Sequence, residues 1–278
     1  MPDSQFDLRS YHIQKTKDED EAKTRQAARK RVELEWNRDL RHVIDRYQAA
    51  TPSTIAACLG VNPKPETPHE RTALRQLYRR LERNAYHGRF RSHYEYSVEH
   101  HGEDVPKDRR RKYAGKVWYV SLDFPRREGS QYEHKALIAH VRGTLERLER
   151  QFQLLKTDTE LRDAKPPLVY DLYGRLHGQR LAIECNLSDG PTAVSDKCLE
   201  WKRHMENDRF DFPFMADRYL WVVETEQKAR NIHQQWIKDG LKTVQFWVTW
   251  KDQFTPYQAD TILGSIWLRP DTDELQAL

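Results

Sequence analysis

The chain is poor in cysteine: Cys58, Cys185 and Cys198 are the only three in 278 residues. Their spacing fits neither a disulfide framework nor paired zinc ligands, which argues against a structural zinc and points to a reducing, cytoplasmic setting. No apolar run approaches the roughly 20 residues needed to cross a bilayer, so no membrane partner is expected. The opening "MPDSQFDLRSYH" lacks the basic-then-apolar order of a secretory signal. No internal repeat is visible, which sets aside solenoids and propellers.

Charge, by contrast, is abundant. Charged residues make up 32% of the chain, and the mean hydropathy is −0.95. These values describe a soluble protein with a modest core. Eight tryptophans and thirteen tyrosines are many for so polar a sequence. Composition divides the chain into three parts. Residues 1–28 are polar, with "KTKDEDEAKTR" inside, and read as a disordered or loosely helical charged arm. Residues 29–124 hold most of the excess positive charge. "DFPRREGSQ" (123–131) breaks any periodicity and reads as a linker. Residues 132–278 then alternate helix-like and strand-like segments.

The basic module carries a recognisable order. Leu40, Val43, Ile44 and Tyr47 recur at helical spacing, "TPST" restarts the chain, and Ile55, Ala56 and Leu59 form a short apolar face ending at Gly60. In "TPHERTALRQLYRRLERNAY", Thr67 is placed to cap, Pro68 suits the first helical position, and Glu70 completes a capping box. At 100° per residue, Leu74, Leu77, Tyr78 and Leu81 share one face of that third helix. Arg71, Arg75 and Arg79 line the adjacent face, with Arg80 and Arg83 further round. "RFRSHYEYSV" and "GKVWYVSLDF" read as strands. The loop between them contains Arg109, Arg110, Arg111 and Lys112. Three helices followed by two strands and a basic loop is the order of a winged helix-turn-helix. From Arg71 to Lys116 there are 13 Arg/Lys against 6 Asp/Glu, a balance of +7 where the whole chain has +4. Charge concentrated in this way suits phosphate contacts with double-stranded DNA, and arginine also reads guanine edges. The plainer reading is a solvated helix face beside a basic loop, and "RRRK" also fits a nuclear signal.

The stretch "VYDLYGRLHGQRLAIECN" (169–186) places two carboxylates in an apolar, strand-like run. Leu181, Ile183 and Cys185 fall on one face, Glu184 and Asn186 on the other; Val169, Asp171 and Tyr173 share a face of the preceding strand. If His177-Gly178 is a two-residue turn, pairing partners sum to 355 and Asp171 sits opposite Glu184. Facing like charges destabilise a sheet unless a cation separates them. Mg²⁺ (or Mn²⁺) suits carboxylate oxygens and can activate water beside a phosphate. A neighbouring Arg or Lys would answer the pair equally well.

Asp171, a gap, then Glu184-Cys185-Asn186 resembles the Asp…Glu-x-Lys signature of the PD-(D/E)XK nuclease fold, with Asn186 where that fold has lysine. In many members the lysine has moved to the following helix, and "AVSDKCLEWKRHM" offers Lys197 and Lys202. More broadly, residues 30–250 resemble the replication-relaxation family of plasmid proteins and the related nuclease-fold mobilisation relaxases. The landmarks are "YEHKALIAHVRGTLERL", "VYDLYGRL", "RLAIECNLSDG", "DKCLEW" and "RYLWVVET". The resemblance implies an α/β chain: an N-terminal winged helix followed by a restriction-endonuclease-like (PD-(D/E)XK) domain. It also implies Asp171 and Glu184 as metal ligands, Glu133 as an additional one, Lys197 or Lys202 at the scissile phosphate, and His134 at a phosphate or in proton transfer. Relaxases with a tyrosine nucleophile use a three-histidine metal site, and no such histidine cluster stands here.

Each assignment has a plainer counterpart. Lys197 can be a surface lysine beside Asp196, and His134 an ordinary helix-terminal residue. Cys185 and Trp201 read as core, and His100-His101 as solvated. Two functions follow. One is a sequence-specific DNA-binding protein with a metal-dependent nuclease-like domain that nicks DNA in plasmid mobilisation or replication. It would act on duplex DNA with a single-stranded product region, alongside protein partners in a DNA-processing complex. The other is a non-catalytic replication or transcription accessory factor with a degenerate nuclease fold.

Overall fold

The computed structural model describes residues 8–96, 114–125, 129–146, 152–157, 161, 170–206, 215–241, 245–253 and 263–278. Arg109, Arg110, Arg111, Lys112, the His100-His101 pair and the middle of the expected linker lie outside the described residues.

Helix α1 runs from Leu8 to Tyr47. It passes without a break through residue 28, where composition alone had divided arm from module. From residue 20 onward its exposed turns are held by side chains four residues apart, Glu21 to Arg25 and Arg31 to Glu35, the spacing at which opposite charges support a helix. Its end is buried through Leu40, Val43, Ile44 and Tyr47. Gln48, with φ of 65°, turns the chain out of the helix. A two-residue strand β1 (Ala49–Ala50) follows; nothing in so short an alanine pair marks it as a strand. Thr51 then caps α2 (Pro52–Cys58). The third helix, α3 (Pro68–Tyr86), begins with the expected capping box between Thr67 and Glu70. Strands β2 (Arg91–Tyr96) and β3 (Ala114–Val120) complete a three-stranded antiparallel sheet in the order β1-β3-β2. Leu74, Leu77 and Leu81 of α3 join Leu40 and Ile44 of α1 and Tyr119 of β3 in one core.

The second sheet has seven strands, β4 (Phe152–Thr157), β5 (Leu172–Leu176), β6 (Gln179–Asn186), β7 (Arg218–Val223), β8 (Phe246–Trp250), β9 (Trp267–Arg269) and β10 (Thr272–Gln276), in spatial order 10-9-8-7-6-5-4. Strands β6, β7 and β8 are parallel, and the outer pairs antiparallel. The chain is therefore mixed α/β. The parallel strands β7 and β8 are almost continuously buried, as strands covered on both faces must be. Helix α4 (Gly129–Glu146) packs Leu137, Val141 and Leu145 on one face. Helices α5 (Pro191–Glu206) and α6 (Glu226–Lys238) cover the other, where Trp201, Trp221 and Trp236 are buried. Cys185 and Trp201 are core residues, as read from the sequence.

Helix α4 belongs to both sheets. Its Ala139 enters the core of the first unit, and Tyr132 and Ala136 pack with Trp118 and Val120 of β3. At its far end, Glu146 accepts hydrogen bonds from Arg46 (2.7 Å), Tyr47 (2.6 Å) and Arg142 (2.8 Å). Burial opposes ionisation of this carboxyl, but the three donors outweigh it and hold its pKa below the usual value. A division placed before residue 132 thus separates α4 from its partners in the first unit. Among the described residues, no helix is long and apolar enough to cross a membrane.

Candidate functional site

His177 and Gly178 both have positive φ, 49° and 82°, the conformation of a type I′ hairpin turn. This turn fixes the register that sequence reasoning anticipates: Leu172 pairs with Ile183 and Leu176 with Gln179. The pairing stops one residue short of Asp171. Asp171 lies at a bend, and its N–H donates to the Ile183 carbonyl at 3.1 Å. The N–H of Cys185, which continued pairing would direct at the backbone of residue 170, donates instead to Asp171 Oδ2 at 2.8 Å. Asp171 therefore meets β6 through both its backbone N–H and its side chain. The expected cross-strand pair with Glu184 becomes a pair of neighbouring carboxylates, one of them bonded to the backbone.

Both carboxylates are largely buried, with side-chain exposures of 9% for Asp171 and 15% for Glu184. Burial, followed by the charge of Asp171, pushes the Glu184 carboxyl up to about 7, against the pull of Lys197 and His134. Each carboxylate has a basic partner. Lys197 Nζ lies 2.5 Å from Glu184 Oε1. It also sits 5.4 Å above the Trp201 ring and 5.3 Å from that of Trp221, so α5 aims the lysine by resting it on two core tryptophans. His134 Nε2 lies 3.2 Å from Asp171 Oδ2. That hydrogen bond is the main reason the imidazole pKa is raised, with burial opposing it and the charges of Asp171 and Glu184 adding to it.

Asn186 is buried at the end of β6. Its Nδ2 donates to Asp189, and its Oδ1 accepts from the Asp189 N–H at 3.0 Å and from Lys228 Nζ at 3.2 Å. Lys228 comes from the first turn of α6, capped by Thr225. Neither Asp189 nor Lys228 is among the sequence-based site residues. Lys228 lies 42 positions from Asn186 and no motif links them; only the parallel pairing of β6 with β7 brings α6 to this strand end. Carboxyl ends of parallel strands are where open α/β sheets place their sites. A cavity of about 280 Å³ opens here, lined by Gln131, His134, Glu184, Asn186, Ser188 and Asp189 among others.

The remaining sequence candidates separate. Lys202 lies 3.7 Å from Glu206 on the same helix, and of the two α5 lysines only Lys197 is bonded to Glu184. Glu133 points into a different cleft and pairs with Lys116 at 2.5 Å. That cleft, about 390 Å³, lies between the two units and is also lined by Tyr78, Leu187, Glu224 and Lys251. Adjacent helix positions diverge by about 100°, which is why His134 reaches the carboxylates and Glu133 does not. Among the described residues, no group of three or more His, Cys, Asp and Glu side chains is arranged to hold a metal.

On α3 the arginine row is exposed at Arg71, Arg75, Arg79 and Arg83. Arg71 donates to the Glu66 carbonyl, Arg83 pairs with Glu33 of α1 at 2.9 Å, and Arg80 lies over the Trp36 ring. Arg75 and Arg79 meet no acceptor among the described residues. Compared with protein-family models, curated proteins and solved structures, the chain finds no match.

Proposed function

We propose that the chain binds duplex DNA through its first unit and hydrolyses a phosphodiester, as a nick, at the Asp171–Glu184 site. The order helix, short strand, helix, helix and two-stranded hairpin is that of a winged helix-turn-helix, in which the third helix enters the major groove. Arg75 and Arg79 of that helix are exposed and meet no acceptor among the described residues. The sheet with Asp171, Glu184 and Lys197 at its parallel strand ends is the arrangement expected of a PD-(D/E)XK-like domain. Magnesium or manganese fits the donor set, since two carboxylates share a site in which the charge of one raises the pKa of the other. Asp171 and Glu184 would hold the ion, and water or substrate oxygens would complete its shell. When bound, the ion would activate water and neutralise charge on the phosphate. The chain's own groups orient this chemistry. The Cys185 N–H and His134 fix Asp171, and Lys197 holds Glu184 in place. The observation that carries the reading is this pair of opposed, buried carboxylates at the mouth of parallel strands.

The test is nicking of supercoiled plasmid with and without Mg²⁺ or Mn²⁺. Asp171→Ala and Glu184→Ala are each expected to abolish it and to lose any Mn²⁺-induced thermal stabilisation, while duplex binding persists. One observation favours a second reading, the non-catalytic DNA-binding accessory factor: Lys197 on Glu184 and His134 on Asp171 give both carboxylates a bonded partner without a metal. Wild-type protein with neither nicking nor a metal response decides for that reading.

A further inference from the structure

A phosphate entering this site needs a cation that is not already committed. Among the described residues, three basic side chains meet the functional groups near the end of β6. Lys197 is bonded to Glu184, and His134 to Asp171. Both are engaged by the two carboxylates that would hold the ion, and each serves to orient its carboxylate. Lys228 differs. Its bonded partner is a neutral oxygen, Asn186 Oδ1. Asp189 and Glu224 favour its charge from nearby, but burial outweighs them and leaves its pKa below the ordinary lysine value. Among the described residues it forms an ion pair with neither. Asn186 and Glu184 lie two residues apart on one face of β6 and line the same cavity, so the Lys228 ammonium, bonded to Asn186 Oδ1, meets the strand end that also carries Glu184.

We infer that Lys228, from α6, is the phosphate-binding cation of this site, and that Asn186 serves to hold its ammonium there. The inference rests on the phosphodiester reading and names the residue that contacts the scissile or adjoining phosphate. Lys197 is then a positioning residue for Glu184 and not the group that meets the substrate.

Lys228→Gln separates charge from hydrogen bonding, because glutamine can still donate to Asn186 Oδ1. On supercoiled plasmid with Mn²⁺, Lys228→Gln is expected to slow nicking roughly a hundredfold, the usual loss for one electrostatic contact to a transition state. Lys228→Arg retains most of the rate. Both keep the Mn²⁺-induced rise in melting temperature, because Lys228 is no metal ligand. With Ca²⁺ in place of Mn²⁺, the salt dependence of duplex binding falls by about 0.9 in slope for Lys228→Gln, one phosphate contact fewer. Wild-type nicking rate and slope in Lys228→Gln would show that Lys228 only fixes the turn at residues 186–189, and the inference fails while the hydrolytic reading stands. A wild-type protein that neither nicks nor responds to Mn²⁺ overturns both together.

Discussion

Glu184→Gln is expected to make the metal-free protein more stable at pH 8, by an amount that grows with pH. The Glu184 carboxyl titrates at about 7 in the folded chain, chiefly because it is buried and beside Asp171. In the unfolded chain it titrates near 4.3. A carboxyl whose folded pKa is raised favours the folded state when protonated. That contribution is fully present below the unfolded pKa and is lost as pH rises through the folded value. At 1.36 kcal/mol per pKa unit, the loss between the two limits is about 4 kcal/mol. Glutamine stands in for the protonated acid at every pH. The stability of Glu184→Gln relative to wild type therefore increases by roughly 2–3 kcal/mol between pH 5 and pH 8. Lys197 loses its partner in the variant, but it is 33% exposed and can turn toward water. Denaturant melts of both proteins in EDTA, repeated across this range, measure the difference directly. A constant difference, or one that shrinks as pH rises, would refute the picture of Glu184 as a carboxylate held ionised against its environment. A site that costs stability is common where geometry serves chemistry.

Other outcomes follow from the same structure. Replacing Arg75 and Arg79 together by alanine should lower the salt-dependence slope of duplex binding by about 1.8, since each removes one phosphate contact; an unchanged slope in the folded double variant removes α3 from the DNA interface. Trp201→Ala should cost about 3–5 kcal/mol in denaturant melts, because the ring is buried against Tyr170, Tyr219 and Trp221. A cost under 1 kcal/mol would mean that the ring is not part of the core. Gly178→Ala should cost about 1–2 kcal/mol, because position 178 needs the left-handed conformation that alanine resists; a neutral result would contradict the type I′ turn.

Much of this chain is legible in its sequence because the signals are local. The Thr67 capping box, the leucine stripe of α3 and the His177-Gly178 turn each depend on residues a few positions apart, and each forms where its spacing predicts. The register of β5 with β6 follows from the turn, and with it the nearness of Asp171 to Glu184. Nothing local marks β1, a strand of two alanines that exists by pairing with β3, or the edge strand β10. Nor does composition show that α1 continues through residue 28 or that α4 serves two cores. Those features depend on what packs against a segment, which local spacing does not encode. At the site the division is sharper. Sequence names Asp171, Glu184, Lys197 and His134, but the family resemblance groups Glu133 and Lys202 with them. Tertiary structure sends Glu133 to Lys116 and Lys202 to Glu206. It brings Lys228 to Asn186 across 42 residues because parallel pairing of β6 with β7 sets the start of α6 at the end of β6. Sequence determined which residue types could do chemistry and on which strand; only the folded sheet decided which of the cations reach the carboxylates.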